Sequence, residues 1–284
     1  MSDSPIVRLL IDCEDRPGIV SAVSTFLFGL GANIIDSSQH SSDASGGRFY
    51  LRLEFTAPPA AIAAFGDRFG PEVGEPLGLE WWTWPAERPK RLAVLASTAD
   101  HCVLDLLWRA RRGDLGAEVV LVASNHEVLR PAVEPFGVPF AHVPSVAGDR
   151  SASEARLLEL LVGAADLVVL ARYMQVLTGD FLERVGMPVI NVHHSLLPAF
   201  AGANPYARAR ERGVKLIGAT AHYVTEELDE GPIIEQDVIR VSHRDTVEDL
   251  KRSGADIERI VLSRAVQWHC ADRVIRDGTT TVVF

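Results

Sequence analysis

The spacing of hydrophobic positions changes partway along the chain and divides it in two. Residues 6–13 are an apolar, β-branched run that reads as a strand. Pro17 and Gly18 punctuate a turn. Val20, Val23, Leu27 and Leu30 then recur at helical spacing, with Gly29 and Gly31 as the stop. A strand restarts at 33–37, and 48–55 alternates clearly as another. Pro58 and Pro59 precede a helix over 60–69, and a short strand is expected near 77–82. The order β-α-β-β-α-β predicts a ferredoxin-like α+β domain over 1–86. The stretch WWTWPAERPKR follows, holding Trp81, Trp82 and Trp84 beside two prolines and four charges. Its tryptophans read as a strand end packed on its own or the neighbouring domain. Residues 87–91 read as a linker.

In the second half the apolar runs become continuous. Residues 92–97, 118–124 and 166–171 are strand-length apolar segments, separated by amphipathic helical stretches at 101–111 and 153–162. Buried strands alternating with helices predict a doubly wound, Rossmann-like α/β sheet, the domain running over 92–284. Residues 188–195 read as a strand entering a loop, and 218–224 and 231–241 as strands joined by TEELDE. Asp245, with Glu248 three residues on, reads as a capping box opening a helix to about 269. Asp277-Gly278 is a hairpin turn between two terminal strands.

Composition narrows the class. The chain has 284 residues, 28 Lys and Arg against 38 Asp and Glu, and a net charge of −10. That argues against nucleic acid, whose phosphates call for concentrated basic residues. With 47% hydrophobic residues and a mean hydropathy of +0.11 it is a folded chain with ample core. No apolar run approaches the roughly 20 residues of a membrane span, and the acidic N-terminus is unlike a signal peptide. Cys13, Cys102 and Cys270 are odd in number and far apart, so they form neither a disulfide framework nor a CxxC metal site. A cytoplasmic protein with no membrane or nucleic-acid partner is expected.

Three polar groups fall where ligands bind in such sheets, at the carboxyl ends of strands. Asn191 and His193 are two apart on one strand and share a face. Asp229 lies in the loop between two later strands. An amide donor, an imidazole and a carboxylate can together run attack on a carbonyl. By spacing alone, a buried Asn and His satisfied by loop backbone is the competing reading. His194 is expected on the opposite face from His193, which disfavours a shared metal ion. The sequence also lacks HExxH, GxSxG, GxGxxG after its first α/β strand, and GxxxxGK[ST].

The segments NVHHSLLPAFAGANPY (191–206) and GATAHYVTEELDEGPIIEQD (218–237) closely resemble the folate-dependent formyltransferase family. The pattern DRPGIV…GANI resembles an ACT domain. The combination is similar to the branch of that family that hydrolyses 10-formyltetrahydrofolate. Three departures from the transferring members point the same way: ASTADHC (96–102) lacks a glycine-rich phosphate loop, His194 stands where those members usually have Pro, and the acidic chain has no added tRNA-binding barrel. The resemblance implies the folate substrate with no further cofactor and no metal. It implies Asn191 as oxyanion donor, His193 as proton shuttle, and Asp229 as the group that binds the water and sets the charge of His193. Met174, Gln175, Val176, Leu177, His222, Thr225 and Glu230 are implied as substrate contacts, and Arg172 or Arg208 as partners of a glutamate tail. For the ACT domain it implies an amino-acid effector, methionine or glycine, near Asp15, Arg16, Gly18 and Ile19, with Asn33 across from that loop. A homodimer or homotetramer is implied as well. The alternative is a formyltransferase acting on an amine acceptor.

Overall fold

The strands β1 (Ile6–Glu14), β2 (Asn33–Ser41), β3 (Arg48–Thr56) and β4 (Glu80–Pro85) form an antiparallel sheet in the order β2-β3-β1-β4. The computed structural model describes residues 4–43, 46–145, 150–198 and 205–284. One compact unit comprises Met1–Pro89 with Ala271–Ile275 and Val282–Phe284, and a second comprises Lys90–Cys270 with Arg276–Thr281.

In the first unit the helix Ile19–Gly29 starts after Gly18, whose φ of 98° suits a residue without Cβ. It buries Ile19, Val23, Phe26 and Leu27, while Val20 is 44% exposed. Val23, Leu27 and Leu30 are buried as expected, and Ile19 rather than Val20 takes the first core position, with Phe26 widening the stripe. The expected 60–69 helix is broken into Pro59–Ala63, Phe65–Phe69, a π-turn at Gly70–Gly74 and Glu75–Leu77. The tryptophans lie in β4, as the reading of a strand end packed on its own domain expects. Trp81 packs edge-on against Phe69 at 4.9 Å, and Trp84 donates to the Arg88 carbonyl at 2.8 Å. Offset and edge-on aromatic contacts of this kind add about 1 kcal/mol each to the burial they accompany.

The C-terminal residues 271–275 and 282–284, read from the sequence as part of the second domain, belong to the first unit. Arg52, 6% exposed, donates to the carbonyls of Asp272 and Ala271 at 2.9 and 3.0 Å, and Arg8 pairs with Asp272 at 3.2 Å. Ile275 completes a small cluster with Leu10 and Tyr50. Isolated polar side chains inside an alternating strand gave no signal for this docking.

The second unit is a seven-stranded sheet. Its members are β5 (Lys90–Ala96), β6 (Ala117–Ser124), β7 (Phe140–His142), β8 (Leu167–Ala171), β9 (Val189–His193), β10 (Leu216–Tyr223) and β11 (Ile233–Arg240), in the order β11-β10-β9-β8-β5-β6-β7. From β9 to β7 the pairing is parallel, and β10 and β11 add on antiparallel. The helices His101–Arg112 and Arg150–Leu161 flank the parallel part. Strand order reverses between β5 and β8, so the crevice beyond their carboxyl ends is the natural ligand position. The hairpin β12 (Val274–Asp277) and β13 (Thr280–Val283) turns at Asp277-Gly278.

The long helix is Val247–Cys270. Its capping box is not Asp245 with Glu248. Thr246 and Asp249 exchange the reciprocal bonds, Asp249 N–H to Thr246 Oγ1 at 3.1 Å and Thr246 N–H to Asp249 Oδ2 at 2.9 Å. Asp245 instead accepts from the Ser242 N–H at 2.5 Å. Two overlapping polar pairs three apart compete for the same role, and Thr246 also donates its hydroxyl to Asp249 at 2.7 Å.

Candidate active site

Register places the polar side chains before any contact is considered. On the antiparallel pair β9–β10, Asn191 lies opposite His222 and His193 opposite Thr220. All four share one face. The Asn191 amide meets His222 Nε2 at 3.2 Å, while His222 Nδ1 faces the Tyr223 carbonyl at 2.9 Å. The carbonyl accepts only from a protonated Nδ1, so Nε2 is the acceptor for Asn191. One amide N–H of Asn191 is thereby spent and the other is left to donate elsewhere. Burial, opposed by the Tyr223 carbonyl and Asp229, keeps the His222 pKa below the usual histidine range.

Asp229 comes from the β10–β11 hairpin and adopts φ 60°, a left-handed conformation that Asp tolerates better than most residues. The hairpin closes tightly enough that a Cβ on Gly231 would stand 1.8 Å from the Tyr223 carbonyl oxygen. Closed in this way, the loop brings Asp229 Oδ2 to 3.2 Å from His193 Nδ1 and Oδ1 to 3.7 Å from His222 Nε2. The His193 hydrogen bond is the main reason the Asp229 carboxyl sits below its ordinary range, against the effect of burial. His193 Nε2 is buried and makes no hydrogen bond among the described residues. An imidazole held at one nitrogen by a carboxylate, with the other nitrogen unengaged, is arranged to move a proton.

These groups line one cavity of about 430 Å³. Its wall includes Asn191, His193 and Asp229 together with Met174, Gln175, Val176, Leu177, His222, Thr225 and Glu230, so these expected catalytic and substrate residues border the same space, and Arg208 does not. The loop after β8 is pinned from several sides. Met174 N–H donates to Ser97 Oγ at 2.9 Å, Ser145 Oγ to Gln175 Oε1 at 2.9 Å, and Thr178 N–H to Glu154 at 2.9 Å. The turn after β9 is fixed by Thr220, whose Oγ1 donates to the Ser195 carbonyl at 2.9 Å and accepts from Leu197 N–H at 3.0 Å. Gln236 donates to both Thr220 Oγ1 and the Leu197 carbonyl at 2.9 Å. Sequence reasoning did not single out Ser97, Thr220 or Gln236. Thr220 is a small polar residue inside a largely apolar strand, Ser97 follows the end of β5, and Gln236 sits among the polar residues of β11, so none of the three carried a signal of its own.

His194 departs from expectation. The strand ends at His193 and the chain bends, so the two imidazoles stack at 4.9 Å and His194 also lines the cavity. Burial, then Arg172 and His193, lower its pKa to about 4, which keeps it neutral. Arg172 borders the cavity too, with φ 62°, but its Nε lies 3.4 Å from Glu258 rather than facing outward; Arg208 is exposed. Among the described residues one group could offer three ligand atoms to a metal ion, His101, Cys102 and Glu258. Its carboxylate is already engaged by Arg172 and by the Tyr206 hydroxyl at 2.8 Å. Residues 199–204 of the 191–206 motif lie outside the described residues.

The effector residues are not gathered in one chain. Ile6 and Asn33 both pair with Thr56, whereas Glu14 pairs with Arg48 at the other end of β3. The helix Ile19–Gly29 runs back along the sheet, so Asn33 and the loop holding Asp15 and Arg16 stand at opposite ends, about 27 Å apart at strand rise. Asp15 accepts from Ser41 Oγ, Arg16 donates to the Leu77 carbonyl, and Ile19 is 2% exposed.

Known proteins align with this chain over nearly its whole length. The sequence model for the formyl transferase family matches residues 90–266, and that for the ACT domain matches residues 7–62. A formyltetrahydrofolate deformylase of Mycobacterium tuberculosis is 59% identical over 281 residues, covering 98% of this chain and 91% of that protein. The one from Bacillus subtilis is 51% identical over 284 residues, covering 98% and 93%. A crystal structure of a formyltetrahydrofolate deformylase from Pseudomonas syringae superposes with a TM-score of 0.95 at 44% identity, covering 100% of this chain and 96% of that one. With its ACT and formyl transferase regions in that order and relatives matched end to end, the chain belongs to the formyltetrahydrofolate deformylase family.

Proposed function

We propose that this protein hydrolyses 10-formyltetrahydrofolate to formate and tetrahydrofolate, releasing formate for purine synthesis. The observation that carries the reading is the convergence of Asn191, His193 and Asp229 on one cavity, with His193 Nε2 buried and unengaged there.

The chemistry follows from that geometry. The formyl carbon of the substrate is seated beside His193, and water adds to it. His193, held by Asp229, takes the proton that water loses. The remaining N–H of Asn191 donates to the oxygen as it becomes negative, a contribution of about 3 kcal/mol for donors of this type. Collapse of the tetrahedral intermediate breaks the bond from carbon to N10. The proton held on His193 passes to N10, so the amine departs neutral and formate is left. His194, neutral and stacked on His193, adds no charge to the face on which the imidazolium forms. The loop at 172–177 and the hairpin residues 225–230 are read as the seat of the pterin. No metal or further cofactor is assigned a role.

The ACT region is read as the seat of an amino-acid effector, methionine or glycine, and of pairing into a homodimer or homotetramer. Support for pairing comes from β2, an edge strand with Ile34 and Ile35 both exposed. Three free, buried cysteines and no helix, among the described residues, long and apolar enough to cross a membrane support a cytoplasmic setting.

The test is purified protein with 10-formyltetrahydrofolate and no amine, following tetrahydrofolate and formate together. Equal yields of the two are expected. If turnover begins only when an amine acceptor is added, the protein is a transferase and the reading fails.

A further inference from the structure

Beside the cavity, the crevice beyond the carboxyl ends of β5 and β8 is occupied by the protein itself. Glu258, from the middle of the helix Val247–Cys270, is 2% exposed. Its Oε2 lies 2.8 Å from His101 Nε2 and 3.4 Å from Arg172 Nε, and its Oε1 accepts from the Tyr206 hydroxyl at 2.8 Å. His101 opens the helix that follows β5, Arg172 is the first residue after β8, and Tyr206 follows the turn after β9. One carboxylate thus ties together residues that follow β5, β8 and β9 in the chain. Burial pushes the Glu258 carboxyl up, but His101, Arg172 and Tyr206 outweigh it and hold it below its ordinary range. The helix gives way to admit this contact: a Cβ on Gly254 would stand 2.0 Å from the Tyr206 hydroxyl oxygen.

Three features make the crevice suited to an oxyanion. It lies at the topological switch point, where open α/β sheets take their ligands. It abuts the first turn of a helix, which favours negative charge. Its side chains are a guanidinium, an imidazole and a phenol, all donors matched to a carboxylate or phosphate. It also adjoins the reaction space, because Arg172 lines the cavity and the Tyr206 ring lies 6.3 Å from that of His194.

We propose that Glu258 is a built-in anion that fills this crevice and so denies it to an anionic formyl acceptor, leaving water as the nucleophile. The idea rests on the hydrolytic reading above and supplies a reason for it. A formyl acceptor must place its amine at the formyl carbon and lodge the rest of its body nearby. The neighbouring cationic crevice, the natural seat for an acceptor's phosphate or carboxylate, is closed from inside. Glu258 is then a specificity residue that touches neither the folate nor the reacting atoms.

The experiment compares the full chain with its Glu258→Ala variant, using inorganic phosphate as the probe in isothermal titration and in the formate-release assay. The variant should bind phosphate at least tenfold more tightly than the wild type. Phosphate should inhibit the variant's formate release over that same concentration range while leaving the wild type untouched. Equal phosphate affinity in the two proteins overturns the proposal. So does tighter binding without inhibition, since the crevice would then lie off the acceptor's path. Should Glu258→Ala fold poorly, refolding yield with and without phosphate reads the same equilibrium, because an anion bound only to the native state raises it. A yield indifferent to phosphate then counts against the idea. Absence of formate release by the wild type would instead remove the hydrolytic reading and leave the phosphate result to stand by itself.

Discussion

Two carboxylates in the second unit, Asp229 half-buried and Glu258 buried, face histidines at similar distances and yet serve opposite ends. Asp229 meets His193 at 3.2 Å, and Glu258 meets His101 at 2.8 Å. Around Asp229 the network stops short, since His193 Nε2 has no partner among the described residues and one N–H of Asn191 is unspent. Around Glu258 both oxygens are taken, by a phenol on one side and by an imidazole and a guanidinium on the other. The first network borders a 430 Å³ cavity, while the second joins the segments that follow β5, β8 and β9, with Arg172 Nε 3.4 Å from Glu258 but in no hydrogen bond among the described residues. Reactivity in this protein goes with an imidazole nitrogen left open beside a cavity, and cohesion with a carboxylate whose two oxygens are both engaged.

The sharpest way to break that contrast is to remove the pair that borders the cavity. His193→Ala and Asp229→Ala should each lower kcat by about 10²–10⁴-fold, the range for a positioned proton-transfer group. The unfolding midpoint should move little, because His193 contributes no closed network. Either variant retaining near wild-type formate release, measured with 10-formyltetrahydrofolate alone, would remove the assignment.

A second comparison sets two glycines against each other. Gly231→Ala places a methyl against the rigid Tyr223 backbone, so the hairpin must open and Asp229 must withdraw from His193. Gly254→Ala meets only the end of the Tyr206 side chain. The expectation is a loss in both kcat and stability for the first, and for the second a destabilisation of about 1–3 kcal/mol with the larger share of kcat retained. Chemical denaturation and steady-state kinetics on the pair check this. A Gly231→Ala enzyme of normal rate would show that the closed hairpin does not set the site.

The smallest effect is on acid stability. His194 ionises near pH 6.5 in an unfolded chain and only at about 4 here, and His222 shifts in the same direction. Between those values the unfolded state holds more protons, so stability is fully present above about pH 6.5 and falls as pH drops toward 4. Asp229, shifted below its unfolded value, adds a further loss at still lower pH. Urea midpoints at pH 7 and pH 5 should differ in that sense, and His194→Phe should shrink the difference. A midpoint that rises on acidification contradicts the assignment of neutral, buried histidines.

The alternation of apolar residues carried most of the strand order, and Asn191, His193 and Asp229 were legible because register and a hairpin bring them together. What the chain did not disclose depends on contacts at long separation. Glu258 is one acidic residue on an amphipathic helix, and nothing nearby marks it as the partner of Arg172, 86 positions earlier (258 − 172). Strand alternation placed His194 on the wrong side because it was carried one residue past the strand's end. Asn33 was set across from the Asp15 loop by the resemblance to ACT domains, whereas within this chain an intervening helix carries them to opposite ends of a sheet.

The return of residues 271–275 and 282–284 to the first unit bears on how this polypeptide is made. Most of the second unit is an insertion within the first: 181 residues (90–270) separate Pro89 from the first of the two tail segments. A nascent chain that has emerged only as far as Pro89 presents β1 and β3 without their last partner: Leu10 and Tyr50 lack Ile275, and Arg8 and Arg52 lack Asp272. The four strands are all present by then, but these contacts form only once residues 271–284 have been made, so the N-terminal unit is the first to appear and is finished late. Splitting the chain at 89 and 90 would leave each fragment with an unpaired surface, and mixing the two fragments offers a direct measure of how strongly the tail binds.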